Sequence, residues 1–393
     1  MNIILVSILV GLAHAWDNQG HRIIGLIAGQ YVKERTTIFL DDNLEEVSRN
    51  AIPEGLAYVS IQADMKQNDT AYAWASPMHY AYTDQQCNAF DEKSDCPGGV
   101  CIVTAIAKFS TIASDPNASL AARQEALMFL IHFMGDIHQP LHVGFKKDEG
   151  GSKLWLSDPD THLHDVWDSV IVSRFIRKEA PKNLKRKWNY YTLAQDLVNE
   201  MEKNYDAENQ AHSVPVPSDT SSYKLVKAYA ADIASETTSH YTCKYAYRNE
   251  RGWLIQPGDM LTKTYLEERW KIVKTQYMVA GYRLAMLLDS IAETFAAKSR
   301  EIKQAARVKI TRSVPETKKT SNRFADLLVE TLSDSDESTD DDDKKKLAAY
   351  EESKKLTFSE IIKGSKKSES NNDKPGTVTK SRSIIKKSKG DKR

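Results

Sequence analysis

Two histidine–aspartate pairs with the same spacing lie in the middle of the chain. His132 precedes Asp136 by four residues, and His164 precedes Asp168 by four residues. Residues four apart lie on one face of an α-helix, so each pair could offer two ligands to one cation. Imidazole and carboxylate are good zinc ligands. A site without thiolate is more typical of a catalytic ion with open positions than of a closed structural ion.

A third histidine stands close to the first pair. The stretch HFMGDIHQPLH, residues 132–142, contains Pro140, which ends or bends a helix, and His142 follows directly. An alternative interpretation gives the aspartates surface or capping roles and the histidines hydrogen bonds in the core. That interpretation needs a separate explanation for each of these residues.

Further candidate ligands lie earlier in the chain. Asp64 in ADMKQ and His79 in SPMHYAY would be unremarkable alone, and His21 lies in WDNQGHR. If Trp16 begins the mature chain, its α-amine is a nitrogen donor once deprotonated, since the ordinary pKa of this group is about 8. The carbonyl oxygen of Trp16 could then complete a five-membered chelate.

The first fifteen residues predict that Trp16 does become the N-terminus. They are almost wholly apolar, too short to span a membrane, and carry small residues at Ala13 and Ala15. We predict a signal peptide, residues 1–15, cleaved after Ala15; the alternative is an uncleaved anchor. No later apolar run approaches the roughly 20 residues of a spanning helix. The mature protein is therefore expected to be secreted or lumenal, including lysosomal, without a membrane span.

The segments that must position these residues are predicted to be helices. Apolar residues recur at helical spacing in HRIIGLIAGQYV, in ARQEALMFLIHFMGDI and in the closing run from Thr264 to Lys298. Strand signals are sparse, and residues 143–163 are predicted to form a short β-hairpin. The pattern predicts a mainly α fold with a single helical domain over residues 16–299.

The composition changes at about residue 300. Residues 300–393 are charged, rich in Ser and Lys and almost without aromatic side chains. Such a segment cannot bury enough apolar surface to offset chain entropy, so we predict a disordered tail. Two interpretations stay open: a solvating tail, or a lysine-rich end that contacts nucleic acid or anionic surfaces.

The formal net charge of +0 conceals an asymmetry between these regions. Residues 298–393 carry a net charge of +8, and the residues before them carry −8. An acidic body does not by itself attract a polyanion. If the substrate is a phosphate ester, bound cations must supply the positive field.

Four cysteines also fit an oxidising compartment. Cys96 and Cys101 flank a Pro-Gly-Gly turn, which favours a local disulfide and leaves Cys87 to pair with Cys243. Asn68 and Asn117 begin N-glycosylation motifs, which support the secretory interpretation although such short motifs also arise by chance.

Taken together, the motifs resemble the zinc-dependent class I single-strand-specific nucleases and 3′-nucleotidases, the S1/P1 class of the phospholipase C–nuclease superfamily. The resemblance rests on WDNQGH, AD at 63–64, MHY at 78–80, HFMGDIHQPLH, GGSK, LHDVWDS and GYRLAMLL, which occur in the family's order over residues 16–297. It implies a mainly helical domain that holds three zinc ions.

The resemblance also implies which residues bind each zinc ion. Asp136 would bridge the first two ions, and His138 would be an ordinary hydrogen-bonded histidine outside the ligand set. Carried over residue by residue, the ligands are Asp64, His79, His132 and Asp136 for the first zinc, Trp16 (α-amine and carbonyl) and His21 for the second, and His142, His164 and Asp168 for the third. The cysteine pairing above also fits the family.

The implied reaction is hydrolysis of phosphodiester bonds in single-stranded DNA and RNA to products with a 5′-phosphate. Asp64 would orient a zinc-activated water and accept its proton, while the third zinc stabilises the leaving 3′ oxygen. Tyr80, Tyr82 and Lys66 are the candidate substrate-binding residues, because an exposed base must stack in a pocket that a duplex does not reach without melting. A monomer that also hydrolyses 3′-nucleotides is expected.

The chain departs from the family pattern around the substrate. Gln67 stands where Arg or Lys is frequent, with Lys66 beside it, and Tyr82 stands where Asp or Asn is usual, with Asp84 nearby. Ser152 and His162 each replace an asparagine. These departures affect base preference and rate, and leave the metal ligands intact.

Two other functions fit parts of the sequence. A zinc-dependent phospholipase C shares this fold and metal set, but Tyr80 and the cysteines favour the nuclease. A non-catalytic secreted protein, with structural zinc and a partner-binding tail, does not explain why Asp64 and an open set of His and Asp ligands are present.

Overall fold

The structure of the protein is a computed structural model that describes residues 16–67, 69–158, 160–179 and 189–313. The predicted signal peptide, the glycosylation motif residue Asn68 and the chain after Ser313 lie outside these residues. All described residues belong to one compact unit.

The described part of the chain is mainly helical, which confirms the predicted fold class. Short 3₁₀ helices at Thr70–His79, Pro97–Gly99 and Lys146–Asp148 connect the α-helices. The α-helices are α1 (Asn18–Tyr31), α2 (Glu34–Asn43), α3 (Glu45–Asn50), α4 (Glu54–Val59), α5 (Gln62–Lys66), α6 (Glu92–Asp95), α7 (Ile102–Ala113), α8 (Leu120–Asp136), α9 (Leu163–Asp165), α10 (Ile171–Glu179), α11 (Asn189–Lys203), α12 (Asp206–His212), α13 (Tyr223–Thr237) and α14 (Lys263–Ser313).

Helix α8 lies at the centre of the fold. Every residue from Ala126 to Asp136 is buried, and a helix that is buried on all sides belongs to the core of its domain. Helix α7 packs on α8 and α13, while α1 packs on α14, α4 and α11. The first histidine–aspartate pair therefore sits in the interior, at the C-terminal end of the central helix.

The ends of α1 and α8 are fixed by local sequence. The Asp17 carboxylate accepts hydrogen bonds from the backbone N–H groups of Gln19 and Gly20, at 3.1 Å each, and caps α1. Ser119 caps α8 by accepting from the Ala122 N–H at 3.2 Å. Both residues are of the types favoured at the start of a helix, because their side chains satisfy free N–H groups.

The predicted hairpin at residues 143–163 is present only in part. An isolated antiparallel bridge pairs Trp155 with His162, where the Leu156 N–H donates to Thr161 and the Leu163 N–H donates to Leu154. A parallel bridge between Thr83 and Phe145 and an antiparallel one between Arg248 and Leu254 complete the β-structure among the described residues. The rest of this segment forms turns, because the glycines at 150 and 151 adopt positive φ angles.

Helix α14 continues past the predicted end of the domain. We expected the tail to begin at residue 300, yet residues 300–313 remain helical. This segment contains Ala, Arg, Lys and Glu, which are good helix formers, and extension of an existing helix needs no new nucleation. No helix within the described ranges is long and apolar enough to cross a bilayer.

Both predicted disulfides are formed, Cys96 with Cys101 and Cys87 with Cys243. The second joins residues that are 156 positions apart. It connects the loop after Tyr82 to a π-helical segment, Thr238–Ala246, which continues α13.

Candidate metal centre

Three helices and one 3₁₀ helix deliver the first group of candidate ligands. His132 and Asp136 come from α8, His21 from α1, Asp64 from α5 and His79 from the end of the 3₁₀ helix. We call these five residues the Asp136 cluster. All five are buried, with at most 4% of each residue exposed.

Asp136 is the common contact of this cluster. Its Oδ1 lies 3.2 Å from Nε2 of His21, and its Oδ2 lies 2.9 Å from Nδ1 of His79 and 3.2 Å from Nε2 of His132. Asp64 approaches His132 from the other side, with 3.3 Å between Oδ1 and Nε2. The two oxygens of Asp136 therefore face different histidines.

The second group, which we call the Asp168 cluster, contains His142, His164 and Asp168. Nε2 of His164 lies 3.1 Å from Oδ2 of Asp168, and Nε2 of His142 lies 3.9 Å from Oδ1. His142 follows the Pro140 turn, as the sequence predicted. His164 lies in the single turn α9 and Asp168 in a π-helical turn, Val166–Val170, a form that occurs frequently at functional sites.

Backbone carbonyl groups fix the orientation of three imidazoles. Nδ1 of His132 donates to the Ser60 carbonyl at 2.8 Å, and Nδ1 of His142 donates to the His79 carbonyl at 2.8 Å. Nδ1 of His164 donates to the Gly150 carbonyl at 2.6 Å. Because a carbonyl can only accept, each Nδ1 carries a proton, and each Nε2 points toward its cluster.

The clusters leave several buried polar atoms without a hydrogen bond. Within the described ranges, Nε2 of His21, His132, His142 and His164 and Oδ1 of Asp136 have no hydrogen-bond partner. Buried polar atoms are costly unless they are satisfied. In both clusters the candidate ligand atoms form groups of three that lie within 4.8 Å of one another, so both could hold metal ions. Imidazole and carboxylate are ligands for several divalent metal ions, zinc among them.

The pKa shifts of the candidate ligands follow from burial and from the groups beside them. Burial lowers the pKa of His21, and it lowers that of His142 to about 3, so both stay neutral as a ligand must be. Burial would raise the pKa of Asp64 and Asp136, but attraction to His132 holds both below their ordinary value, and the two carboxylates in turn raise the pKa of His132. The two carboxylates are therefore ionised.

Trp16 begins the described chain beside these clusters. Its indole Nε1 donates to the Gly135 carbonyl at 3.1 Å, and its ring meets Tyr277 edge to face at 4.8 Å. The next residue, Asp17, donates its N–H to the backbone carbonyl of Asp168 at 2.9 Å. The Trp16 side chain thus contacts α8 next to Asp136, and the residue after it is bonded to Asp168, so the start of the described chain lies close to candidate ligands of both clusters.

The structure places the candidate substrate residues differently from one another. Tyr80 has its ring 4.7 Å from that of His142 and stacks on Tyr82 at 5.5 Å with 16° between the planes. Lys66 instead places its Nζ 4.4 Å above the Tyr72 ring. The tyrosine pair therefore borders the Asp168 cluster, whereas Lys66 contacts an aromatic ring.

Two glutamines support the clusters. Nε2 of Gln67 donates to Oδ1 of Asp64 at 2.7 Å, so the residue that replaces a family Arg or Lys contacts a candidate ligand. Gln139 was missed in the sequence, although it lies inside the stretch 132–142. Its Nε2 donates to Oδ1 of Asp168 at 2.5 Å, and its Oε1 accepts from the Leu141 N–H at 2.5 Å.

His138 lies in a separate network, as expected for an ordinary buried histidine. Its Nδ1 donates to the Met134 carbonyl at 2.7 Å, and Nη1 of Arg283 donates to its Nε2 at 3.2 Å. Burial and the adjacent guanidinium lower the pKa of His138 to about 3.

Of the two predicted glycosylation sites, Asn117 lies within the described residues. It is exposed in the turn before α8.

The structure therefore places the protein in a general class, that of helical domains with buried His/Asp clusters that could bind metal ions. Comparison with known sequences identifies the family within this class. The family model "S1/P1 Nuclease" matches residues 16–293. The chain is 31% identical to Endonuclease 3 of Arabidopsis thaliana over 307 residues, which is 76% of this chain and 95% of that protein.

Fungal nucleases match over the same part of the chain. Nuclease P1 of Penicillium citrinum is 28% identical over 298 residues, covering 72% of this chain and 100% of the relative. Nuclease S1 of Aspergillus oryzae is 25% identical over 290 residues, covering 72% and 94%. The chain belongs to the S1/P1 nuclease family, and it is therefore a nuclease, a hydrolase that acts on phosphodiester bonds of nucleic acids.

Proposed function

We propose that this protein is a secreted or lumenal zinc-dependent endonuclease that hydrolyses single-stranded DNA and RNA to 5′-phosphate products and also acts on 3′-nucleotides. The observation that carries this proposal is the pair of buried clusters whose imidazole Nε2 atoms face carboxylates and accept no hydrogen bond from the described residues. Such sites suit catalytic cations that keep open positions for water and substrate.

The proposed division of ligands among three zinc ions is the one that the family resemblance implies, and the atoms that face one another around Asp136 support it. Asp136 would bridge two ions, since its Oδ1 faces His21 and its Oδ2 faces His79 and His132. The proposed sets are Asp64, His79, His132 and Asp136 for the first ion, Trp16, His21 and Asp136 for the second, and His142, His164 and Asp168 for the third.

In the proposed reaction the chain's residues position water, proton and strand. Bound zinc would lower the pKa of water and neutralise phosphate charge. The Asp64 carboxylate is ionised and held by Gln67, and it accepts the proton of the water that attacks phosphorus. The bond from phosphorus to the 3′ oxygen breaks, which leaves a 3′-hydroxyl on one product and a 5′-phosphate on the other.

Preference for single strands would come from the tyrosine pair. Tyr80 stacks on Tyr82 next to the Asp168 cluster, so a base that stacks here brings its own sugar and phosphate to the metals. A paired base cannot do this without melting of the duplex. In this proposal Lys66 contacts the strand farther out, from its position over Tyr72.

The proposed location rests on two features. Both disulfides are formed, and disulfides persist in oxidising compartments. The apolar run before Trp16 fits a signal peptide cleaved after Ala15. Glycosylation at Asn117 and a monomeric state are part of the same proposal.

The experiment that tests this function compares single-stranded and duplex oligonucleotides of the same sequence. We expect cleavage of the single strands, 5′-phosphate ends on the products, loss of activity with a chelator and recovery with zinc. Release of phosphocholine from phosphatidylcholine, without nucleic acid cleavage, would instead identify a phospholipase C. Binding of zinc without hydrolysis of either substrate would identify a non-catalytic protein.

A second experiment tests Trp16 as a ligand. A peptide tag left in front of Trp16 removes the free α-amine, and we expect this form to lose nearly all activity and one zinc ion per chain. The same tag placed after Arg393 is the matched control and should leave activity unchanged. A fully active form with the tag before Trp16 would remove this residue from the ligand set.

A further inference from the structure

Trp155 is a large aromatic residue that stays half exposed although its backbone is held on both sides. Half of its surface, 50%, is accessible to solvent. Its residue forms the antiparallel bridge with His162, and its carbonyl accepts a hydrogen bond from the Gly258 N–H at 2.9 Å. A single exposed aromatic side chain is ordinary on a protein surface. The position of Trp155 relative to the metal centre is what suggests a function.

A row of rings connects Trp155 to the Asp168 cluster. The Trp155 ring meets His162 edge to face at 5.3 Å, and His162 lies 6.4 Å from His164. The Tyr80 ring also lies 6.2 Å from that of His164. Tyr80 therefore borders the Asp168 cluster directly, and Trp155 is connected to it through one further ring, that of His162.

We propose that Trp155 is a second base-stacking position for the single-stranded substrate, distinct from the Tyr80–Tyr82 pair. The inference deepens the proposed nuclease function and rests on it. A strand whose scissile phosphate lies at the metal centre carries its neighbouring nucleotides outward, and one of these bases stacks on the exposed indole face.

The contacts around Trp155 suit a base-stacking role. The bridge to His162 and the bond from Gly258 fix the Trp155 backbone, while the edge-to-face contact with His162 sets the ring angle. A preset ring loses little conformational freedom when a base stacks on it. Stacking on an aromatic face is tolerant of base identity, which fits an enzyme that must accept many sequences.

His162 connects this position to the sequence. It stands where the family usually has asparagine, directly before the Leu163–His164 pair. Its imidazole is largely buried, with 16% of the side chain exposed, and it faces Asp165 at 3.1 Å as well as the Trp155 ring. Because asparagine has no ring, the edge-to-face support of Trp155 depends on this replacement.

The test compares two substrates with the wild type, Trp155→Ala and Trp155→Phe in the full zinc-loaded chain. One substrate is a single-stranded oligonucleotide, and the other is a 3′-nucleoside monophosphate, which has only one base. We expect Trp155→Ala to raise KM for the oligonucleotide about ten-fold and leave the mononucleotide kinetics unchanged. Trp155→Phe should restore most of the loss, since phenylalanine also offers an aromatic face.

Trp253→Ala is the matched control. Trp253 is 65% exposed, more than Trp155, and the Arg251 guanidinium lies 5.6 Å from the centre of its ring. It should leave both substrates unaffected. Equal losses on both substrates in Trp155→Ala, or no loss on either, would overturn the inference. So would weaker binding of phosphatidylcholine vesicles in place of the oligonucleotide, which would assign Trp155 to a lipid surface. Failure of the wild type to cleave any nucleic acid would instead overturn the proposed function.

Discussion

Asp136 is the residue on which the proposed metal centre depends most. Its carboxylate lies within 3.2 Å of imidazole nitrogens of His21, His79 and His132. Removing it leaves three buried imidazoles without their common anion. We expect Asp136→Ala to lose two zinc ions per chain and nearly all nuclease activity. Metal analysis together with an oligonucleotide assay checks this result.

The outcome against this expectation is equally clear. An Asp136→Ala protein that keeps its full metal content and activity would refute the bridging role. Asp165→Ala is a suitable control, because Asp165 lies next to His164 in the chain but contacts His162 at the surface. It should retain its zinc.

Sequence spacing predicted the candidate ligands better than it predicted the residues that hold them. The i, i+4 pairs identify His132, Asp136, His164 and Asp168, because helical spacing brings such residues together. Gln139 gives no comparable signal. Its contact with Asp168 joins residues 29 positions apart, and such a contact depends on the packing of the Pro140 turn.

Gln139 is predicted to position Asp168 for its ion. Gln139→Leu keeps a similar size but removes the amide that donates to Asp168 and the oxygen that accepts from the Leu141 N–H. We expect weaker binding of the third ion by about ten-fold or more, the usual range for supporting hydrogen bonds at metal sites. Zinc titration of the variant measures it. Gln276→Leu, which removes a buried amide bonded to the His138 carbonyl, is the control. Equal affinity in both variants would contradict a specific role.

At the scale of elements, the close approach of α1 and α8 determines the geometry of the Asp136 cluster. A Cβ atom added at Gly135 would lie 2.8 Å from Nδ1 of His21 and 3.0 Å from its Cε1. Glycine is therefore required where the two helices cross. Helical periodicity predicts both helices from the sequence, but it does not predict which faces meet.

Gly135→Ala tests this crossing. Alanine favours a helix over glycine by up to about 1 kcal/mol, so a loss of stability can come only from the collision with His21. We expect unfolding to become easier by about 1–3 kcal/mol, as in other overpacked cores, and zinc content and activity to fall. Denaturant unfolding and metal analysis give the two readouts. A variant that is more stable than the wild type and fully loaded would show that α1 and α8 do not approach so closely.

The conformations of two other elements are not predicted by the hydrophobic and spacing patterns of the sequence. Residues 143–163 carry a strand-like pattern, yet with positive φ angles at Glu149, Gly150 and Gly151 the segment pairs with itself only at the bridge between Trp155 and His162. The pair His164 and Asp168 fits helical spacing, but it spans the junction of a short α turn and a π turn. In the first place the two glycines are a local signal for turns, whereas the π turn at Asp168 has no comparable signal in the sequence.

At the scale of the molecule, the described fold is longer than the family domain. The family match ends at residue 293, whereas α14 continues to Ser313. Residues 300–307 are exposed, so this stretch of the helix adds no core. Composition predicts a loss of core-forming residues from about residue 300, and the disordered tail stays a prediction. It did not predict the continued helix, because charged residues and alanine are compatible with either state.

The metal centre is also expected to stabilise the whole domain. Its ligands join α1, α5, α8 and the segment around His164, and without cations the Nε2 atoms of four of these histidines are buried with no hydrogen-bond partner among the described residues. Any ligand that binds only the folded state adds stability, about 4 kcal/mol when present at a thousand times its Kd. We expect chelation to lower the melting temperature by about 10 °C, given the response of domains of this size, and zinc to restore it. Calorimetry of the wild type, with Asp136→Ala as the control that should respond less, measures this effect. An unchanged melting temperature after proven loss of zinc would mean that the clusters are rigid without their ions, and that the fold does not depend on them.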